Sequence, residues 1–170
     1  MGKSLVIKGA NFQANGIVTY NETWYVTLGT DNIGSMTSVP TNNSGSAAWS
    51  FDDTYNNAVR GKTINQIKFI PATAGTFSIY VLNTRTTSLG IPAATITVSS
   101  SDIGQFKRYT IPSITVGSSQ YLVFVNPDDS VSMYYSAVSG ATFYKRCGFS
   151  NTSIVTGYQL LIDVGYREAN

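Results

Sequence analysis

Apolar and polar residues alternate with a period of two through most of this sequence, and no segment keeps the 3.6-residue apolar period of an amphipathic helix. In residues 76–82, Phe77, Ile79 and Val81 fall on one side of an extended chain. Residues 95–98 and 159–166 repeat the pattern. A chain patterned in this way buries its apolar side chains by forming sheets that pack face to face.

The alternation and the turn residues between its segments predict about eleven short strands. They are expected at residues 4–8, 24–28, 47–51, 63–70, 76–82, 95–98, 106–111, 120–125, 131–136, 141–145 and 159–166. Turn residues fill 71–75 and 126–130, a short helix is expected within 52–60 and a single helical turn within 99–104. Residues 29–46 are predicted to be a long loop, a kind of segment that often carries function.

Many short strands without crossover helices predict an all-β fold, an antiparallel β-sandwich that is jelly-roll-like, with about eight core strands plus extra edge strands. The 170 residues suit a single domain, 1–170, since neither an internal repeat nor a linker divides them. The alternative that residues 1–20 form an N-terminal attachment strand or arm stays open.

Composition restricts the chemistry that this chain can perform. The sequence contains no histidine and one cysteine, so serine–histidine and cysteine–histidine triads, intramolecular disulfides and thiolate zinc sites are all excluded. Eleven basic and nine acidic residues are scattered, which does not favour nucleic-acid binding. Ser, Thr and Asn number 20, 20 and 13, and they predict a polar, uncharged surface.

The first residues resemble neither an export signal nor a membrane anchor. Only three consecutive apolar residues, 5–7, precede the lysine at position 8, and no stretch approaches the roughly 18 apolar residues of a membrane span. We therefore expect synthesis in the cytoplasm, no membrane insertion, and a location in a virion or outside the cell after lysis.

A candidate ligand site lies around Trp49. The residues that follow it, Asp52, Asp53, Tyr55 and Asn56, place carboxylates and an amide beside an aromatic ring, which is the chemistry that recognises sugars. The alternative interpretation is that Trp49 fills the core of the sandwich. No metal cluster or cofactor motif is present, and the weaker alternative of a bound calcium ion would use the Asp52 region.

Two further aromatic residues are candidates for ligand binding. Trp24 opens a predicted strand, and it too has core packing as its alternative. Tyr134 is expected to point away from the apolar face that Val131, Met133 and Tyr135 form, although single exposed aromatic residues are common.

Two stretches carry a resemblance to known sequences: residues 2–12 with Asn15, Gly16 and Ile17, and residues 61–70 continuing through 74–77. They resemble accessory jelly-roll domains encoded by gut Bacteroides and their phages or prophages, which are similar to carbohydrate-binding modules and to phage tail or fibre domains. In that group such a segment stands alone or ahead of an SGNH (GDSL-type) esterase domain. The shared motifs are strand patterns, so the resemblance implies no catalytic residues, and any esterase activity would belong to a neighbouring domain.

Composition and resemblance together lead to one main hypothesis and two alternatives. The main one is a non-enzymatic recognition or attachment module that binds a host surface glycan, in a phage tail, a fibre or a related surface assembly. The first alternative is a purely structural virion subunit without a small ligand. The second is a carboxylate-based glycosidase or lyase. In either non-enzymatic case we expect a homo-oligomer, such as the trimers that fibre proteins form, with other particle subunits as partners.

Overall fold

The computed structural model of the chain describes residues 10–12, 18–20, 22–24, 36–39, 48–51, 53–85, 89–125, 133–147 and 151–167. These residues contain one α-helix, α1 (Asp53–Val59), and a 3-10 helix (Ser100–Asp102). Their strands are β1 (Ala10–Phe12), β2 (Val18–Tyr20), β3 (Glu22–Trp24), β4 (Met36–Val39), β5 (Ala48–Phe51), β6 (Thr63–Phe69), β7 (Gly75–Leu82), β8 (Ala94–Val98), β9 (Lys107–Thr115), β10 (Tyr121–Val125), β11 (Met133–Cys147), β12 (Asn151–Leu160) and β13 (Ile162–Arg167). No described helix is long and apolar enough to cross a membrane.

Eight of the strands have the connectivity of a jelly roll. The smaller sheet has the order β3-β13-β6-β9, and the larger sheet contains the order β5-β10-β7-β8, with every neighbouring pair antiparallel. Numbered 1 to 8 along the chain, these strands give sheets of order 1-8-3-6 and 2-7-4-5, which is two interlocked Greek keys. The predicted all-β sandwich with eight core strands is confirmed, and β1 and β2 form a separate antiparallel pair.

The core lies between the two sheets and is built by alternate residues of each strand. In β8, Ala94, Ile96 and Val98 are buried whereas the threonines between them are exposed. Aromatic rings join the layers, since Phe69 of β6 and Phe77 of β7 stand with their ring centroids 5.0 Å apart. The period of two in the sequence therefore reports which face of each sheet is buried.

A long hairpin, β11 and β12, extends the larger sheet beyond β5. Residues 131–136 and 141–145 were predicted to be two strands, but Met133–Cys147 is one strand with a register shift between Ala137 and Thr142. Gly140 has φ +80° inside this irregularity, a conformation that disfavours side chains with a Cβ. The sequence shows this position only as Ser-Gly, which equally well indicates a turn between strands.

Two further strand predictions are corrected. The prediction of a long, strand-poor loop over residues 29–46 is wrong in part, because β4 lies within it and pairs with β11. Most of β12 was not predicted, and the strand expected at 159–166 is instead the end of β12 followed by β13. Neither missed strand has a sustained alternation of apolar and polar residues. Their extended conformation therefore depends on pairing with β11 more than on their own sequence pattern.

The outer face of the larger sheet carries a second apolar cluster. Leu89, in the chain after β7, packs against this cluster. Its buried members on β5, β7 and β10 are Ala48, Tyr80, Leu82, Val123 and Val125. Arg85, on the same side of the sheet, bonds to the end of β5. The cluster therefore positions one side of the site described below.

The outer face of the smaller sheet buries polar side chains. Asp163 of β13 and Lys68 of β6 are register partners, and their Oδ2 and Nζ atoms lie 3.3 Å apart in an ion pair. Gln66, two residues before Lys68, is also buried, and neither atom of its side-chain amide has a hydrogen-bond partner within the described part of the chain. A buried amide without partners lowers stability.

Candidate functional site

The predicted helix after β5 is present as α1, and it closes one end of the sandwich. Asp53 begins the helix, where a negative charge is favourable, and Val59 is buried in the core. Gly61, with φ +72°, ends it, and the Gly61 N–H bonds to Val116 O at 2.7 Å. We call α1, the end of β5, the segment 83–85 and the start of β10 the α1 corner.

Asn56 joins α1 to β10 from inside the fold. Its Nδ2 donates to Gln120 O at 2.9 Å, and its Oδ1 accepts the Leu122 N–H at 3.2 Å. The side chain is 0% exposed. Asn56 was predicted to contact a ligand, but both ends of its amide are bonded within the fold, so its position supports a structural role.

Trp49, the centre of the predicted site, lies in the core. Its side chain is 0% exposed, and its ring packs against Phe143 with centroids 5.8 Å apart. This position agrees with the alternative interpretation of core packing, because a buried ring offers no face to a sugar. The stacking part of the predicted site is therefore absent from the surface at this residue.

Arg85 fastens the segment after β7 to the end of β5. Its Nε donates to Ser50 Oγ at 3.0 Å, and its Nη2 donates both to Phe51 O at 3.0 Å and to Asp53 Oδ1 at 2.9 Å. The Arg85 side chain is 13% exposed and that of Asp53 is 60% exposed. Asp53 is thus fixed by one carboxylate oxygen and open to solvent on its other side.

Arginine and tyrosine side chains are stacked beside this contact. The Arg85 Cζ lies 3.8 Å from the Tyr144 ring centroid and 4.3 Å from that of Tyr121. The Arg60 Cζ lies 4.6 Å from the same Tyr121 centroid. Such cation–π contacts hold each guanidinium in place. We call Arg60, Tyr121, Arg85 and Tyr144 the arginine–tyrosine ladder.

Polar side chains extend from the ladder toward solvent. Arg60 Nε donates to Gln120 O at 3.1 Å, and its Nη1 donates to Asn57 Oδ1 at 2.6 Å. Gln120 Nε2 in turn donates to Asn83 Oδ1 at 3.1 Å. Both asparagines are exposed, and among the described residues no acceptor contacts the Nδ2 of either one. The corner therefore presents fixed amide donors beside the Asp53 carboxylate.

The other predicted residues are placed as follows. Tyr55 is half-buried, contacts the Phe51 ring at 6.4 Å between centroids and packs against the core. Asp52 lies outside the described residues, and only the backbone is described for Trp24 and Tyr134. Trp24 pairs with Gly165 of β13, and Tyr134 pairs with Ser38 of β4.

The calcium alternative also centred on this region. Within the described part of the chain, no three acidic or cysteine side chains gather as a metal site would need. One carboxylate oxygen of Asp53 binds the Arg85 guanidinium. A calcium ion at this carboxylate would therefore have to share it with a positively charged group.

Sequence reasoning missed most of the polar network. Arg60, Asn83, Arg85, Tyr121 and Tyr144 lie on four separate segments and meet only because the sheet brings them together. A local signal existed only for Arg60, which follows the predicted helix directly.

A different polar cluster lies at the opposite end of the strands. The Asp102 carboxylate accepts the Ser99 N–H and the Tyr109 O–H, both at 3.4 Å, and pairs with Lys107 Nζ at 3.2 Å. Hydrogen bonding to Ser99 chiefly lowers the pKa of Asp102. Partial burial, followed by the nearby Asp102 charge, raises the pKa of Tyr109 to about 12. These contacts stabilise the predicted helical turn, and they engage the Asp102 carboxylate within the fold.

No protein-family model, curated protein or solved structure matches this chain. The support for a function therefore comes from the geometry of the α1 corner. The interior cavity that core residues such as Ile67, Phe69 and Phe124 line measures about 10 Å³ and offers no alternative site. A volume near that of one water probe cannot hold a ligand.

Proposed function

We propose that this chain is a non-enzymatic recognition module, an accessory jelly roll of a phage tail, a fibre or a related surface assembly, and that it binds a host surface glycan at the α1 corner. The observation that carries the proposal is the array of exposed groups in that corner. Asp53, Asn57 and Asn83 are exposed, and one side-chain oxygen of each is held by an arginine or a glutamine.

Fixed hydrogen-bonding groups of this kind suit a hydroxyl-rich ligand. A carboxylate accepts from sugar hydroxyls and an amide donates to sugar oxygens, and neither loses much side-chain entropy on binding when it is already held. Loops and helices at one end of a sandwich are also where such scaffolds carry recognition.

The ladder changes the expected mode of binding. The guanidinium groups of Arg60 and Arg85 lie against the rings of Tyr121 and Tyr144. The ring faces that they cover are therefore not free to stack on a sugar. We therefore expect hydrogen bonding to dominate over stacking. Weak affinity follows, on the order of 0.1 to 1 mM for one site, since each new hydrogen bond replaces one to water.

A glycan array with the purified full chain tests the proposal, followed by NMR titration of the best ligand. Asp53→Ala and Asn57→Ala should weaken binding about tenfold or more. The free energy of unfolding, from thermal melts, should stay within about 1 kcal/mol of wild type because both side chains are exposed. Asp102→Asn, at the other end of the strands, removes one negative charge as the control and should bind normally.

The outcomes separate the proposal from its alternatives. Absence of binding across the array favours the purely structural subunit. Release of reducing sugar, lost on changing a carboxylate, favours the glycosidase or lyase. Binding that survives both corner variants moves the site elsewhere and overturns the assignment to the α1 corner.

A further inference from the structure

β12 forms the end of the larger sheet, and one of its edges has no partner strand among the described residues. It pairs with β11 on one side, and no other described strand pairs with the opposite side. The strand has ten residues, 151–160, and contains neither a charged residue nor a proline. An open edge presents a row of unpaired N–H and C=O groups to any strand that can align with it.

The other sheet edges are protected or shorter. β9 carries Lys107, Arg108 and Pro112, and charge and proline both discourage pairing. β3 has three residues and begins with Glu22, and β8 has five residues. Among the described edges, β12 is therefore the one that is both long and uncharged.

The half of β12 before Gly157 is the part suited to pairing. Residues 151–156 keep an unbroken register with β11, whereas Gly157, with φ +81°, lies beside the irregularity. Val155 packs against the core, and Ile154, on the outer face, is 57% exposed. A large apolar side chain thus stands exposed in the middle of the open segment.

We propose that β12 pairs antiparallel with β12 of a second copy about an axis at Ile154, so that residues 152–156 lie beside the same residues of the copy and the two larger sheets join into one. A two-fold axis perpendicular to the sheet makes such an edge complementary to itself. Because the segment is uncharged, it meets its own copy without the like-charge repulsion that a basic edge such as β9 would cause.

The pairing also fixes the relation between the two copies. The same axis keeps both outer faces on one side, so the two Ile154 side chains lie on a common face. Tyr144, the register partner of Ile154, is a member of the arginine–tyrosine ladder. Three strand spacings would place the two Tyr144 residues about 14 Å apart across the sheet, with both α1 corners on that face.

Sedimentation equilibrium of the full chain, from about 2 to 200 µM, tests the proposal. We expect a mass that rises from 18.3 kDa toward twice that value, with dissociation in the micromolar range, because a strip five residues long is below the standard interface size. Ile154→Lys should weaken dimerisation about tenfold or more, since two lysines would face each other across the axis.

Two matched variants serve as controls. Ile91→Lys makes the same change at a loop residue that is 92% exposed, and Thr97→Lys places a lysine on the open β8 edge. Both should dimerise as wild type does, and amides within residues 152–156 of the wild-type chain should exchange hydrogen more slowly at high concentration. A monomer at 200 µM, or a dimer or trimer that Ile154→Lys leaves intact, would overturn the proposal.

Discussion

Replacement of the buried Asn56 tests most directly whether the α1 corner is held from inside. Asn56→Ala removes two hydrogen bonds, one to Gln120 O and one from the Leu122 N–H. The Gln120 carbonyl keeps its bond from Arg60 Nε, but the buried Leu122 N–H loses the acceptor that Asn56 provides. The two losses are therefore unequal in cost.

The magnitude follows from these contacts. A buried N–H left without an acceptor costs about 1–3 kcal/mol, and the second bond contributes about 1 kcal/mol more. We expect Asn56→Ala to lower the free energy of unfolding by about 2–4 kcal/mol. For a chain of this length that corresponds to a fall of roughly 5–15 °C in Tm.

Urea unfolding followed by circular dichroism and tryptophan fluorescence measures the change. Asn57→Ala is the matched control, because the neighbouring asparagine is exposed and its one bond, to Arg60, is at the surface. That control should stay within about 0.5 kcal/mol of wild type. Equal effects of the two variants would refute the reasoning.

Asn56→Asp adds a pH signature to the same test. At pH 7 the new carboxylate still accepts from the Leu122 N–H but sets a second oxygen against Gln120 O, so the folded state should raise the pKa of this carboxyl. A raised pKa means that the deficit relative to wild type is smallest below about pH 4, the unfolded value, and grows as pH rises. A deficit independent of pH would show that the side chain has left the buried position.

Three other predictions concern separate parts of the fold. Trp49→Ala should lose about 3–5 kcal/mol in urea unfolding, because a fully buried ring is removed. Gln66→Leu should gain about 1 kcal/mol, or roughly 2–4 °C in Tm, because it removes a buried amide that finds no hydrogen-bond partner among the described residues. The Tyr109 phenol should ionise near pH 12 by ultraviolet absorbance, and Asp102→Asn should lower that pKa. Tyr109 therefore favours the folded state below pH 10, and this contribution is lost as pH rises toward 12.

Each of these has an outcome that contradicts it. If Trp49→Ala keeps wild-type stability but loses glycan binding, the ring contacts the ligand and does not fill the core. A Tm for Gln66→Leu below that of wild type would mean that the amide has partners. An unchanged high-pH titration in a Tyr109→Phe variant would assign the late ionisation to another tyrosine.

The jelly-roll sandwich could be predicted because burial in this fold follows a period of two. The strands that define it carry the alternation in their own sequence, as β7 and β8 do. The strands that were missed, β4 and most of β12, lack a sustained alternation of apolar and polar residues, and they pair with β11. Sequence periodicity reports burial, so it detects an edge strand poorly when much of that strand is exposed.

Of the residues predicted after Trp49, Asp53 is an exposed member of the α1 corner, whereas Asn56 is buried and holds the corner from inside. The residues after Trp49 do form a polar corner, yet the groups that fix it come from distant segments, as Arg85 does in reaching Ser50 and Asn56 in reaching Leu122. Whether Trp49 and Asn56 face inward depends on where β5 and α1 lie against the other strands. That depends on contacts between residues far apart in sequence, which no local pattern contains.

The scarcity of charge has different consequences at the two proposed surfaces. In the α1 corner, Asp53 pairs with one of the two arginines and tyrosine rings cover both, so the exposed groups are largely neutral amides suited to a hydroxyl-rich ligand. Along β12 the absence of charge leaves the edge open to pairing. Tyr144 and Ile154 are opposite each other on adjacent strands, so the same outer face would carry both functions. A dimer formed through β12 would place two weak sites on one surface, and binding to a repetitive glycan would then gain avidity without any new contact.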